Sequence, residues 1–187
     1  MSKIIVREAT KDDCVGIRSL IQVVLSMQTR KQLINQELAD FEKMPDGPQI
    51  DASVLEEDGF GNDNPRFGCF VLEEVEENKE KRKLFGYALY FIAYSTWLGK
   101  SMYLEDIYVS PKYRGQGMGS KLFDTVAKKG LELGCQRMDL RVLSWNPAVE
   151  FYARKGAVDL TAREGWHNYS LDVASMAKLV SKANFDS

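Results

Sequence analysis

Residues 105–123, EDIYVSPKYRGQGMGSKLF, carry glycines at alternate positions, Gly115, Gly117 and Gly119, directly after Arg114. They lie between a run that reads as a strand and a run that reads as a helix. In that setting glycines let the backbone approach a ligand closely, and the unpaired amides of the first helical turn point towards an anion. A diphosphate would satisfy them. The spacing is not GxGxxG and the segment lacks the GK[ST] of a P-loop, so neither nucleotide fingerprint is met. Taken alone, alternate glycines in a turn are more often structural than ligand-binding, and the surrounding elements have to decide.

Those elements are predicted as follows. KIIVREA alternates around Ile4, Val6 and Ala9 as a first strand, and a helix follows with Thr10 as N-cap, Asp13 three residues on, and Cys14, Ile17, Leu20, Ile21 and Val24 at helical spacing. A second or extended helix is expected over 26–44, and a short one over DASVLEEDGF, capped by Asp51 and ending at Gly59. Strands are expected at 67–75, at 84–95 and in SMYLEDIYVS, the first two joined by the charged loop EENKEKRK. The glycine turn then opens a helix with Leu122, Val126 and Leu131 on one face and Gly134 past its end. After a strand in QRMDLRVL comes a helix capped by Asn146 with Pro147 at its first position, a last strand within WHNYSLD, and a C-terminal helix over about 173–183. The order predicts an α/β (α+β) domain spanning 1–187, a mixed sheet of about six to seven strands flanked by helices, with a parallel crossover around the glycine turn.

A chain of 187 residues buries roughly 70% of its unfolded surface, enough for a self-sufficient core. A net charge of −2 gives no basic footprint for nucleic acid. Three widely spaced cysteines without a CxxC pair, and a single histidine, argue against a disulfide framework and a zinc site. The charged opening MSKIIVREATKDD has neither a signal peptide nor a membrane span, so the expected setting is cytoplasmic.

The stretch YVSPKYRGQGMGSKL resembles the coenzyme A signature of the GNAT acetyltransferase superfamily, an Arg or Gln, two residues, Gly, one residue, Gly or Ala, filled here by Arg114, Gly117 and Gly119. Downstream, NPAVEFYARKGA resembles the second hallmark of that superfamily, an Asn-led helix ending in Phe-Tyr and a glycine turn. YLEDIYV, YSTWLGKSMYLED, EDGFG and DLTAREGW are similar to the diamine acetyltransferase branch, most closely its thialysine N-acetyltransferase members, over nearly the whole chain. The main departure is QVVLSMQTRKQLINQ, extra sequence between the first helix and ELADFEK; an amphipathic helix at a dimer contact or over a cleft is one reading of the segment near 22–36.

The resemblance implies direct attack of an amine on the thioester of acetyl-CoA in a ternary complex. A lysine-like ammonium, pKa near 10.4, costs about 4.6 kcal/mol to deprotonate at neutral pH, so the site needs a placed base and a placed acid. Glu105 matches the base, acting through an ordered water, and Tyr152 matches the acid towards the thiolate. Asp106 would face the opposite side of a regular strand, as a surface ion pair or as part of the cleft. Coenzyme contacts are implied for the backbone of Ile107, Tyr108 and Val109, for Arg114, Gly115, Gln116, Gly117, Met118, Gly119 and Ser120, and for Asn146 and Tyr152. The run from Asn146 to Tyr152 is one residue shorter than in polyamine-acetylating members, which weakens the Asn146 contact.

For the amine, the resemblance implies Phe41, Glu42, Glu105, Asp139, Leu140, Arg141 and Glu164, with Trp97 and Trp166 available for cation-π contact. Ser95 stands where polyamine-acetylating members carry an Asp before Pro and Trp. The loss of that charge favours a substrate with its own carboxylate, such as thialysine, over a polyamine. A peptide-lysine acetyltransferase and a non-catalytic coenzyme A-binding module are the alternatives. The family also implies a homodimer, and no metal.

Overall fold

The computed structural model describes residues 2–22, 50–61, 63–76 and 82–182. The expected helix over 26–44, Phe41, Glu42 and nearly all of the extra segment lie outside the described residues, as does most of the charged loop. The chain forms two compact units, Met1–Arg141 and Val142–Ser187.

The first unit is built on a five-stranded sheet in the order β1-β2-β3-β4-β5: β1 Ser2–Glu8, β2 Gly68–Glu76, β3 Arg82–Ser95, β4 Gly99–Val109 and β5 Arg137–Leu140. β1 to β4 pair antiparallel and β5 runs parallel to β4. The parallel crossover passes through the glycine turn and α3 (Met118–Glu132), as the sequence predicted.

One face of the sheet packs on α1 (residues 14–22) and α2 (Ala52–Phe60), around Cys14, Ile17, Leu55, Cys69, Val71, Tyr87 and Tyr108. α3 covers the other, burying Leu122, Phe123, Val126 and Gly130. Gly130 allows a close approach there, since a Cβ would sit 3.3 Å from the Met102 Cβ and the neighbour would have to give by a few tenths of an ångström. Leu131 is 76% exposed, against expectation. It lies nine residues after Leu122, about two and a half turns, which puts it on the far side of the helix.

The predicted helix starts hold. The Thr10 amide donates to Asp13 Oδ2 at 2.7 Å, and the Arg7 guanidinium grips the same carboxylate with two bonds of 2.7 and 2.9 Å. Arg7 Nε also reaches Glu73, a fully buried carboxylate on β2, at 2.5 Å. Asp51 caps α2 through the amides of Ser53 and Val54, and α2 ends at Phe60 instead of Gly59.

The second unit contains α4 (Ala148–Arg154), α5 (Leu160–Glu164) and α6 (Val173–Lys182), the last close to expectation. The strand expected within WHNYSLD is absent: residues 165–172 have no regular structure. Among its described residues this unit holds only helices as regular elements. That segment accounts in part for a sheet of five strands instead of six to seven.

Candidate active site

β4 is interrupted by a bulge at the predicted base. Leu104 pairs with Tyr90 and Asp106 with Leu89, adjacent residues of β3, so Glu105 is the extra residue. A bulge leaves its extra residue out of the ladder and re-aims the side chains that follow. Glu105 is exposed. β5 pairs with β4 only as far as Leu104↔Leu140, so past the bulge the outer backbone edge of β4, Ile107 to Val109, faces no neighbouring strand among the described residues. Such an edge is suited to an extended ligand arm that bonds like an added strand.

Asp106 is half-buried, and its carboxylate accepts from the hydroxyl of fully buried Tyr87. Burial pushes the Asp106 carboxyl up, with the neighbouring Glu105 charge adding to the shift and hydrogen bonding to Tyr87 and the Ile107 backbone opposing it. The Tyr87 phenol is raised as well, first by burial and then by the Asp106 charge.

The glycine turn is held from below. Ser110 donates its amide to Phe85 O at 2.8 Å, the Tyr113 ring stacks on Phe85 at 3.9 Å, and the Tyr113 hydroxyl reaches Glu74 at 2.5 Å. Arg114 Nε donates to Val109 O at 2.8 Å while its guanidinium lies 5.5 Å over the Tyr108 ring. Gln116 donates to Lys112 O at 3.1 Å. Gly115 (φ 74) and Gly117 (φ 78) occupy the left-handed region, which side chains rarely adopt. Gly117 is the N-cap of α3 and offers no side-chain cap, so the amides of Met118, Gly119 and Ser120 open the helix without an intrahelical acceptor. Gly119 needs neither positive φ nor room inside the protein, because a Cβ there would meet nothing within 4 Å. The fold alone does not ask for that glycine. The open space at that turn leaves room for a diphosphate, so these residues fit the coenzyme that the sequence implied.

Other expected residues have partners within their own units. Asp139 accepts from Ser101 and, at 2.8 Å, from Arg137. Leu140 closes the β4–β5 pairing, and Arg141 donates to the Tyr103 hydroxyl with its guanidinium 5.6 Å over that ring. Ser95 Oγ accepts from the amides of Trp97 and Leu98, closing the β3–β4 hairpin, whose Trp97 is 91% exposed.

Tyr152, Asn146 and Glu164 stand on the second unit. Tyr152 is buried, edge-on to Phe151 with ring centroids 5.3 Å apart. Asn146 Oδ1 accepts from the Ala148 amide at 3.0 Å, but α4 begins at Ala148 with Pro147 as its N-cap, one residue later than the sequence predicted. Glu164 is shared by Arg163 and Trp166, whose Nε1 lies 2.8 Å from Oε2.

Residues 31–157 match the model of the acetyltransferase (GNAT) family. The chain belongs to that family. It is 42% identical to the thialysine N-epsilon-acetyltransferase of Sus scrofa over 97% of this chain and all of the relative. It is 37% identical to the human spermidine/spermine N(1)-acetyltransferase-like protein 1 over 87% of this chain, although over only 21% of that longer relative. Among solved structures, an integron cassette protein from the mobile metagenome of V. cholerae superposes with a TM-score of 0.62 at 22% identity, covering 96% of this chain and 98% of the other, which supports the fold alone.

The chain is therefore an acyltransferase, and the mixed sheet flanked by helices is the GNAT fold. Its three cysteines are all free and buried, and burial pushes the Cys14 and Cys69 thiols up to about 11 and about 12. Burial thus disfavours the thiolate form of Cys14 and Cys69. No helix among the described residues is long and apolar enough to cross a membrane.

Proposed function

We propose that the chain is an acetyl-CoA-dependent N-acetyltransferase of side-chain amines on small molecules, with thialysine-like amino acids ahead of diamines and polyamines. The observation that carries the reading is the bulge at Glu105, which sets an exposed carboxylate beside an open strand edge that leads directly into an anion-binding helix start.

The first turn of α3, Gly115 to Ser120 and Arg114 hold the diphosphate, and the backbone of Ile107 to Val109 holds the arm. Bound there, acetyl-CoA supplies an activated thioester. Glu105 takes a proton from the substrate ammonium through a water, which frees the nitrogen lone pair to form the new bond to carbon. Tyr152 would give its hydroxyl proton to the departing sulfur as the carbon–sulfur bond breaks, and the second proton that the nitrogen sheds on becoming an amide would restore the phenol. An unionised phenol can do this at neutral pH. The raised thiols of Cys14 and Cys69 favour direct transfer over an acyl-cysteine route.

The substrate preference rests on Ser95. Its hydroxyl serves the hairpin turn, so the rim there carries no charge that would repel an amino-acid carboxylate. The nearly full-length similarity to a thialysine N-epsilon-acetyltransferase supports the same preference. By resemblance to the diamine acetyltransferases, the working form is a homodimer in the cytoplasm.

Initial rates with acetyl-CoA and thialysine both varied test the reading. Intersecting double-reciprocal lines are expected from a ternary complex. Parallel lines, or no transfer despite acetyl-CoA binding, would contradict it.

A further inference from the structure

A one-residue bulge in a strand invites slippage, because sliding the pairing by one residue would return Glu105 to the ladder and turn every following side chain to the other face. Something has to hold the register at this position. The residue after the bulge is Asp106, and its carboxylate ties β4 to β3 by accepting from the Tyr87 hydroxyl of the neighbouring strand. Tyr87 is 0% exposed and pairs across the sheet with Tyr108, in the cluster that packs on α1 and α2. Slipping the register would strand a fully buried phenol without its partner, along with a half-buried carboxyl.

We propose that the Tyr87–Asp106 hydrogen bond locks the bulge and thereby fixes the aim of Glu105, making Tyr87 and Asp106 positioning residues for deprotonation of the amine. The inference rests on the reading of Glu105 as base. Neither residue touches substrate in this account; each acts through the backbone that presents Glu105. Asp106 serves as an acceptor, so its shape matters more than its charge.

The test compares Tyr87→Phe, Asp106→Ala, Asp106→Asn and the Tyr87→Phe/Asp106→Ala double variant. It measures kcat, KM for acetyl-CoA, and amide hydrogen exchange of the peptide covering 102–109. Tyr87→Phe and Asp106→Ala should each lower kcat about ten- to a hundredfold, as a displaced catalytic group does. KM for acetyl-CoA should stay within about twofold, and the peptide should exchange faster. The double variant should be no worse than the poorer single one, since each single variant already removes the Tyr87–Asp106 bond. Asp106→Asn keeps an acceptor for the phenol and should retain most of the wild-type kcat.

Wild-type kcat in Tyr87→Phe, additive losses in the double variant, or an Asp106→Asn loss equal to that of Asp106→Ala would each overturn the lock. If an Asp106 variant fails to fold, Tyr87→Phe decides alone. If the wild-type protein acetylates no amine, the reading of Glu105 fails, and exchange still judges the lock: unchanged exchange in Tyr87→Phe would overturn it.

Discussion

Met102 and Tyr108 lie an even number of residues apart on β4 and yet face opposite sides of the sheet. Met102 packs on Gly130 of α3, while Tyr108 belongs to the cluster with Cys14, Ile17 and Leu55. A regular strand would put both on one face. The bulge at Glu105 changes the alternation between them, and it does so at the residue assigned to the amine.

Glu105→Gln should therefore lower kcat about 10²- to 10⁴-fold at neutral pH, the range for loss of a general base. The deficit should shrink as the pH rises towards the substrate amine pKa, because the free base then forms without help. A kcat–pH profile of the variant against the wild type reads this directly.

Tyr152→Phe should lower kcat by roughly 10²-fold or more through loss of the proton donor. The ring and its edge-on contact with Phe151 are kept, so the melting temperature should stay within a few degrees. Turnover and thermal unfolding of the same preparation separate the two effects.

Gly117 and Gly119 should part company on substitution. Gly117→Ala forces a side chain into positive φ and should cost about 1 to 2 kcal/mol of stability. Gly119→Ala meets open space and gains helix propensity, so stability should hold or rise by up to about 1 kcal/mol. KM for acetyl-CoA should nevertheless rise in Gly119→Ala, because the added methyl enters the space assigned to the diphosphate. Denaturant melts and acetyl-CoA titrations check both halves.

Asp13 ties pH to stability. Its hydrogen bonds with Arg7 hold its carboxyl below the usual range, so the stabilisation is complete above the unfolded pKa near 3.9 and is lost as the pH falls through the lower folded value. Asp13→Ala should cost about 2 to 3 kcal/mol at neutral pH, since it removes two charge-assisted bonds from Arg7 and the acceptor of the Thr10 amide. Below pH 3 the difference from wild type should narrow. Urea melts at two pH values measure it.

Much of this was legible in the sequence, for reasons of different strength. Asp51, Thr10 and Asn146 marked helix starts because the bonds there are local and leave local patterns: Asp51 and Asn146 accept nearby amides, and the Thr10 amide donates to the Asp13 carboxylate. The glycine turn was legible because positive φ at Gly115 and Gly117 restricts residue type. The bulge was written there too: on β4 the apolar residues of one face are Met102, Leu104, Ile107 and Val109, a step of two, then three, then two. Reading LED as regular strand missed it and placed Asp106 on a surface or in a cleft, whereas it is bonded to buried Tyr87. That bond joins β3 to β4 and leaves no local trace. The expected strand in WHNYSLD failed for the complementary reason, since alternation in a segment does not supply a partner strand.

The most direct measurement of the central claim is kcat/KM for thialysine relative to spermidine at saturating acetyl-CoA. The account predicts acetylated thialysine as the favoured product, with a ratio of about ten or more, the scale of roughly 1.4 kcal/mol of transition-state discrimination. A ratio well below one would contradict it and would mean that Ser95 does not set the preference.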